Sequence, residues 1–214
     1  MQQIFGFPFF IKSIDENLYN KEEIIKDIEH NYNKNKKRNS WDKGNVDESD
    51  LHHCYNDLDN INFKKINFDK LTPIYSNLFV EFLKNLKFKK EEIKFNFNIV
   101  NYTCLTSSQY MASHVHADCD FSAIHYIKFD DTIHTSTLFE NNNNYANYVT
   151  NLRPKLNNIL DEKCFLNSWY YKNFRFQIKE NDICIVPGLL SHSISKQLKT
   201  EKTRITIVCN ITLE

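Results

Sequence analysis

The stretch Ser113-His114-Val115-His116-Ala117-Asp118 places three groups able to bind a metal within five residues. In an extended chain alternate side chains point to one face, so His114, His116 and Asp118 would share a surface while Val115 and Ala117 turn to the other. Imidazole offers a neutral nitrogen and aspartate a hard anionic oxygen, and two such groups two residues apart at a strand end can occupy adjacent sites on one ion. A His-x-Asp triplet alone is a weak motif, often a solvent-exposed accident. Two more features raise its weight. The apolar run Ile183-Cys184-Ile185-Val186-Pro187 leads through Gly188-Leu189-Leu190-Ser191 to His192. Further on, Arg204 opens Arg204-Ile205-Thr206-Ile207-Val208-Cys209-Asn210, where Arg204, Thr206, Val208 and Asn210 fall on one face. An arginine in an apolar strand is costly to desolvate unless a carboxylate meets its planar fork. Taken singly, the parts read more plainly as surface histidines and an arginine in an internal salt bridge.

Strands and helices must hold these groups. Residues 4–11 predict a short strand, and 21–37 a helix, because Ile24, Ile25 and Ile28 recur at helical spacing behind Glu22-Glu23 and the segment ends in basic residues. Residues 39–62 are rich in Asp, Asn and His without a clean period and read as an irregular segment able to cover a site. A second helix is predicted over 70–87, with Leu71, Ile74, Leu78, Phe82 and Leu86 in one stripe and Pro73 in its first turn. From about residue 93 the period becomes two. Phe95, Phe97 and Ile99 alternate with Asn96 and Asn98, and strands are predicted over 112–118, 122–129, 135–140, 174–178, 183–187 and 203–211. Between them, 145–165 reads as a short helical insertion within the longer 141–170 segment. Helices first and strands afterwards predict a mainly β, α+β chain, an antiparallel sandwich or barrel backed by helices. It is expected to be one domain over 1–214, with a helical part about 1–92 and a β core about 93–214.

Composition narrows the classes. The chain has 214 residues, and its 41% hydrophobic content is enough for a core and excludes disorder over most of its length. Lys plus Arg and Asp plus Glu each total 27, so no net field favours nucleic acid or an anionic membrane. The apolar run Ile4–Ile11 has no basic leader and falls short of the roughly 20 residues that span a bilayer. Six scattered cysteines with no CxxC pair fit reduced thiols in a cytoplasmic chain, where buried Cys acts as a small hydrophobe. His30, His52, His53, His125 and His134 read as surface or satisfied core residues, and Trp41 and Trp169 as packing anchors.

Taken together, His-x-Asp, a distal His after a Pro-Gly turn, and Arg-x-Thr on the next strand resemble the iron(II)- and 2-oxoglutarate-dependent oxygenases. The small phage and marine-bacterial members are especially similar, through His114-Val115-His116, Ser122-Ala123-Ile124-His125-Tyr126-Ile127, and Glu180 to Pro187 before the distal His. The similarity covers roughly residues 95–211, with a weaker echo at Phe7-Pro8. It implies a double-stranded β-helix, or jelly roll, holding Fe(II) in a two-His-one-carboxylate set of His116, Asp118 and His192, with His114 as the alternative ligand. It further implies that Arg204, supported by Thr206, pairs with the distal carboxylate of 2-oxoglutarate, and that Tyr102 and Tyr126 donate hydroxyls to that cosubstrate. The activity implied is hydroxylation of a small-molecule or peptide substrate with O₂, releasing succinate and CO₂. Two other readings stay open. One is a cupin-like metalloenzyme using His114, His116 and His192 without 2-oxoglutarate; the other is a non-catalytic jelly-roll binding or virion-associated protein.

Overall fold

The period-two segments form two antiparallel sheets in the computed structural model, which describes residues 2–37, 49–55, 62–87, 94–143, 171–197 and 200–214. In chain order the strands are β1 (Gln2–Ile4), β2 (Phe7–Ser13), β3 (His52–Tyr55), β4 (Phe95–Leu105), β5 (Met111–His114) and β6 (Phe121–Lys128). They continue with β7 (Leu138–Glu140), β8 (Asn173–Arg175), β9 (Asp182–Pro187), β10 (His192–Ile194) and β11 (Arg204–Leu213). The helices are α1 (Lys21–Lys34) and α2 (Leu71–Asn85). The larger sheet has the order β1-β2-β9-β6-β11-β4-β3, and the smaller one β5-β10-β7-β8.

Alternation within the central strands builds two cores from one sheet. Along β11, Ile205, Ile207, Cys209 and Ile211 pack on the helical side, which leaves Arg204, Thr206, Val208 and Asn210 facing the smaller sheet. Along β9, Ile183 and Ile185 join the helical side, while Cys184 and Val186 join Ile124, Tyr126 and Phe139 between the sheets. A strand buried on both faces has no polar alternation to show, which is why β9 reads as a continuous apolar run.

Both helices lie against the outer face of the larger sheet. From α1, Ile24, Ile25, Ile28 and Tyr32 enter that core. The helix stops at Lys34, short of the predicted end at 37. The buried stripe of α2 is rotated from the predicted one: Tyr75 and Phe79 are fully buried, while Ile74 and Leu86 are only partly so. Aromatic reach accounts for the rotation, since Phe79 meets Phe97 with ring centroids 5.2 Å apart and Tyr75 bonds His125 from the same face.

The part before residue 93 is not a purely helical layer. The predicted strand over 4–11 breaks at Phe5-Gly6, both at positive φ, into the β1–β2 hairpin, and glycine adopts its φ of +85° without a Cβ clash. β2 then pairs with β9, and β3, unforeseen inside the irregular segment, pairs with β4. The predicted insertion at 145–165, most of 39–62, Trp41 and Trp169 lie outside the described residues. Among the described residues the five cysteines are unpaired, and no helix is long and apolar enough to cross a membrane.

Candidate metal centre and carboxylate pocket

The smaller sheet delivers the histidines. β5 ends at His114 and β10 begins at His192, and these two are direct antiparallel partners. The predicted strand over 112–118 therefore stops at its third residue. His116 comes from the connection that follows, where its backbone N–H donates to Gly188 O at 2.8 Å. Gly188 is essential to that approach, because a Cβ there would lie 2.4 Å from Cys119 O and 2.7 Å from His116 O.

His114, His116 and His192 converge so that one potential ligand atom from each lies within 4.8 Å of the other two. Ring centroids are 4.3 Å apart for His114 and His192, 5.2 Å for His116 and His192, and 5.4 Å for His114 and His116. Each Nδ1 faces an oxygen: Ala112 O at 3.0 Å for His114, Leu190 O at 2.8 Å for His192, and Asn210 Oδ1 at 3.1 Å for His116. Those oxygens can only accept, so each ring carries its proton on Nδ1 and its lone pair on Nε2. This is the tautomer a metal ligand needs. Burial holds His192 well below the ordinary histidine range, reinforced by the two neighbouring imidazoles, and burial also lowers His116. Neutral rings at His116 and His192 suit cation binding.

Asp118 stands apart from this group. Residues 117–118 form a turn, so the alternation that would place it beside His116 is interrupted. Its carboxylate is exposed and accepts from Asn210 Nδ2 at 3.3 Å. On geometry alone, the third group beside His116 and His192 is His114.

Behind the histidines lies a small cavity lined also by Asn101, Thr137, Thr206 and Val208. Arg204, 0% exposed, adjoins it through Thr137: its Nη2 donates to Thr137 Oγ1 at 3.5 Å and its Nε to Thr135 O at 3.1 Å. The guanidinium lies 5.1 Å from the Tyr126 ring centroid and 5.8 Å from that of Phe129. Burial pulls its pKa down to about 10. Among the described residues no carboxylate comes within 4.0 Å of it, and Nη1 is buried with no partner. A charged, buried donor without an acceptor fits an anion supplied from outside the chain.

The other expected contacts divide. Thr206 lines the cavity and shares a 2.6 Å hydrogen bond with Thr103. Tyr126 packs under Arg204 and donates to Thr137 Oγ1 at 2.7 Å. Tyr102 is on the opposite face of the sheet, where it accepts from Asn31 Nδ2 at 2.7 Å and stacks on His52. It therefore does not reach the cavity. The pleat of β4 turns Asn101 and Thr103 inward, and Tyr102 must turn outward. Asn210 lies on the inner face that the alternation of β11 marks, whereas nothing in the sequence analysis points to Asn101 or Thr137.

No protein-family model matches the sequence, and no curated protein matches it. Among solved structures, the chain is similar to a Pseudomonas putida prolyl-4-hydroxylase at TM-score 0.53 and 6% identity, covering 96% of this chain and 93% of that one. It is also similar to a Trichoplax adhaerens prolyl hydroxylase, solved with a hypoxia inducible factor oxygen degradation domain peptide fragment. That match has TM-score 0.52 and 8% identity, covering 95% of this chain and 83% of that one. An oxidoreductase of the 2OG-Fe(II) oxygenase family from Burkholderia pseudomallei matches at TM-score 0.41 and 9% identity over 70% of this chain, which spans 59% of that protein's length. At such identities what is shared is the fold, the one these two prolyl hydroxylases have.

Proposed function

We propose that this chain is an Fe(II)- and 2-oxoglutarate-dependent oxygenase that hydroxylates a small-molecule or peptide substrate. The observation that carries the reading is Arg204, a buried guanidinium with an unpaired Nη1 and no carboxylate partner among the described residues, one threonine away from a three-histidine cluster. A metal-only site needs no such clamp. Fe(II) held by His114, His116 and His192 would supply O₂ activation coupled to oxidative decarboxylation of 2-oxoglutarate to succinate and CO₂. The chain's own residues do the rest. Arg204 takes the distal carboxylate as a charge-assisted pair, with Thr206 and Thr137 offering hydroxyls beside it. The Tyr126 and Phe129 rings exclude water from the clamp, and the Nδ1 partners keep each Nε2 lone pair directed at the metal.

The reading is tested by succinate release with Fe(II), ascorbate and 2-oxoglutarate across a panel of metabolites and peptides. Substrate-stimulated succinate release by the unmodified chain, abolished in Arg204→Met, is expected. Metal binding and O₂ uptake that ignore 2-oxoglutarate would instead establish a three-histidine metalloenzyme of the cupin kind, and absence of metal binding would leave a non-catalytic jelly roll.

A further inference from the structure

Asn101 brings to the cavity an acceptor that no donor among the described residues answers. It stands on β4 in register with Val208 of β11, turned inward by the pleat, and is 4% exposed, with Oδ1 buried and unpartnered. Apart from the histidines, the cavity wall around it is largely apolar, made by Met111, Ile124, Ile194 and Val208. The two hydroxyls on that wall are already engaged, Thr206 with Thr103 and Thr137 with Tyr126 and Arg204. We propose that Asn101 is a specificity-determining residue, which accepts a hydrogen bond from an N–H or O–H beside the substrate carbon to be oxidised. The inference deepens the oxygenase reading and rests on it.

A buried carbonyl oxygen without a donor costs the fold stability, and a leucine of nearly the same size would avoid that cost. An acceptor kept at such a place fits a donor supplied from outside the chain. That donor is not the cosubstrate. At neutral pH 2-oxoglutarate carries two carboxylates and a ketone, and all of them can only accept. Its clamp also lies elsewhere: Arg204 stands opposite Leu105, four residues or about 13 Å along β4 from Asn101, and bonds Thr135 and Thr137. Asn101 instead shares the cavity with all three histidines. A substrate group entering beside them meets one unpaired acceptor in an apolar wall, so its donor turns to Asn101 and the adjoining carbon is held toward the histidine cluster. Selection follows from what an ill-matched group leaves behind. An ester, ether or hydrocarbon of the same shape covers the same wall but leaves Oδ1 unpaired, whereas an amide, amine or alcohol satisfies it.

The experiment uses the full chain with 2-oxoglutarate and Zn(II), which has no redox chemistry and so permits no turnover. The probes are 2-pyrrolidinone and γ-butyrolactone, rings of one shape that differ by N–H against O. Binding is followed on the ¹⁵N-labelled side-chain amide of Asn101, identified by its loss in Asn101→Leu. Affinities are read from the methyl resonances of Ile124 and Val208, which line the same cavity and remain in the variants. The lactam is expected to shift the Asn101 amide and to bind about 10- to 100-fold more tightly than the lactone. In Asn101→Leu the two rings should bind alike, and urea denaturation should find that variant, free of ligand, no less stable than the parent; a structural asparagine would give the opposite stability result. Asn101→Ala replaces the leucine variant if that one does not fold. The proposal is overturned if the lactam fails to shift the Asn101 amide, if the lactone binds as tightly, or if the preference survives in the variant. Failure of the oxygenase reading would appear separately, as absence of 2-oxoglutarate binding in a chain that still prefers the lactam.

Discussion

Replacing Arg204 by methionine separates the cost of the guanidinium to the fold from its use in binding. A pKa pulled down to about 10 by burial corresponds to about 3 kcal/mol of penalty on the charged form in the folded chain. Against this stand two hydrogen bonds, to Thr135 O and Thr137 Oγ1, each contributing about 1 kcal/mol, and stacking on Tyr126 and Phe129. Methionine fills the slot between the two rings and keeps favourable sulfur–aromatic contacts. Arg204→Met should therefore leave the ligand-free protein as stable as the parent or about 1 kcal/mol more so, unlike the usual result for a buried polar side chain. Binding should move the other way. Loss of a desolvated charge-assisted pair weakens 2-oxoglutarate by about 2 to 5 kcal/mol, or roughly 30-fold to several thousand-fold. Chemical denaturation of the metal-free chain gives the first quantity, and calorimetric titration of 2-oxoglutarate into the Mn(II)-loaded chain without O₂ gives the second. A variant destabilised by more than about 2 kcal/mol with unchanged 2-oxoglutarate affinity would refute the reasoning, because the arginine would then be a structural residue whose unpaired Nη1 serves no ligand.

Further outcomes follow from the same geometry. Single Ala replacements of His114, His116 and His192 should each reduce Co(II) affinity at least about 100-fold, whereas Asp118→Ala, which removes a carboxylate outside the three-histidine group, should stay within about 10-fold; calorimetry measures both, and the reverse pattern for His114 and Asp118 would support the two-His-one-carboxylate set. Gly188→Ala forces the 116–119 turn away from the β9–β10 turn, because both close contacts are backbone oxygens. It should weaken Co(II) about 10-fold while costing the fold about 1 to 3 kcal/mol, seen by denaturation with circular dichroism. His125 is buried, its Nδ1 hydrogen-bonded to Tyr75 at 2.8 Å, and burial depresses its pKa to about 3. A histidine kept neutral by the fold contributes its full stability above the unfolded pKa near 6.5, and loses it at up to about 1.4 kcal/mol per pH unit as pH falls toward 3. Urea denaturation between pH 7 and 5 should show a shallower decline for His125→Gln than for the parent; parallel declines would count against it.

The chemistry was legible in sequence where it rode on regular strands. β11 shows this best: its alternation gives a shared inner face to Arg204, Thr206, Val208 and Asn210, and the fold keeps all four there. Two positions depart from that pattern. The alternation argument for Asp118 assumes that the strand continues past His114, but the chain turns at 117–118 over Gly188, a contact 70 residues away in sequence that no local pattern encodes. Tyr102 is implied by the resemblance for its hydroxyl, but the pleat of β4 turns Asn101 and Thr103 inward and Tyr102 toward the helices. β10 escaped notice because three residues are too few to show a period, although it carries His192.

β11 also shows how backbone geometry alone can set one arrangement of groups. Its inner face starts at a fully buried cation, passes along the cavity wall at Thr206 and Val208, and ends at the amide that holds His116. A strand advances about 3.4 Å per residue, so Arg204 and Asn210 are separated by about 20 Å along the backbone. His114 and His192 come from the opposite sheet, and His116 from the connection after β5. The distance from Arg204 to the histidine cluster is thereby set by strand rise and by the spacing of two stacked sheets, about 10 Å. Backbone geometry fixes both quantities, and side-chain identity is needed only at the positions that touch ligand. Core positions such as Ile205, Ile207 and Ile211 need only be apolar and of suitable volume, so sequence can drift there while the site stays in place.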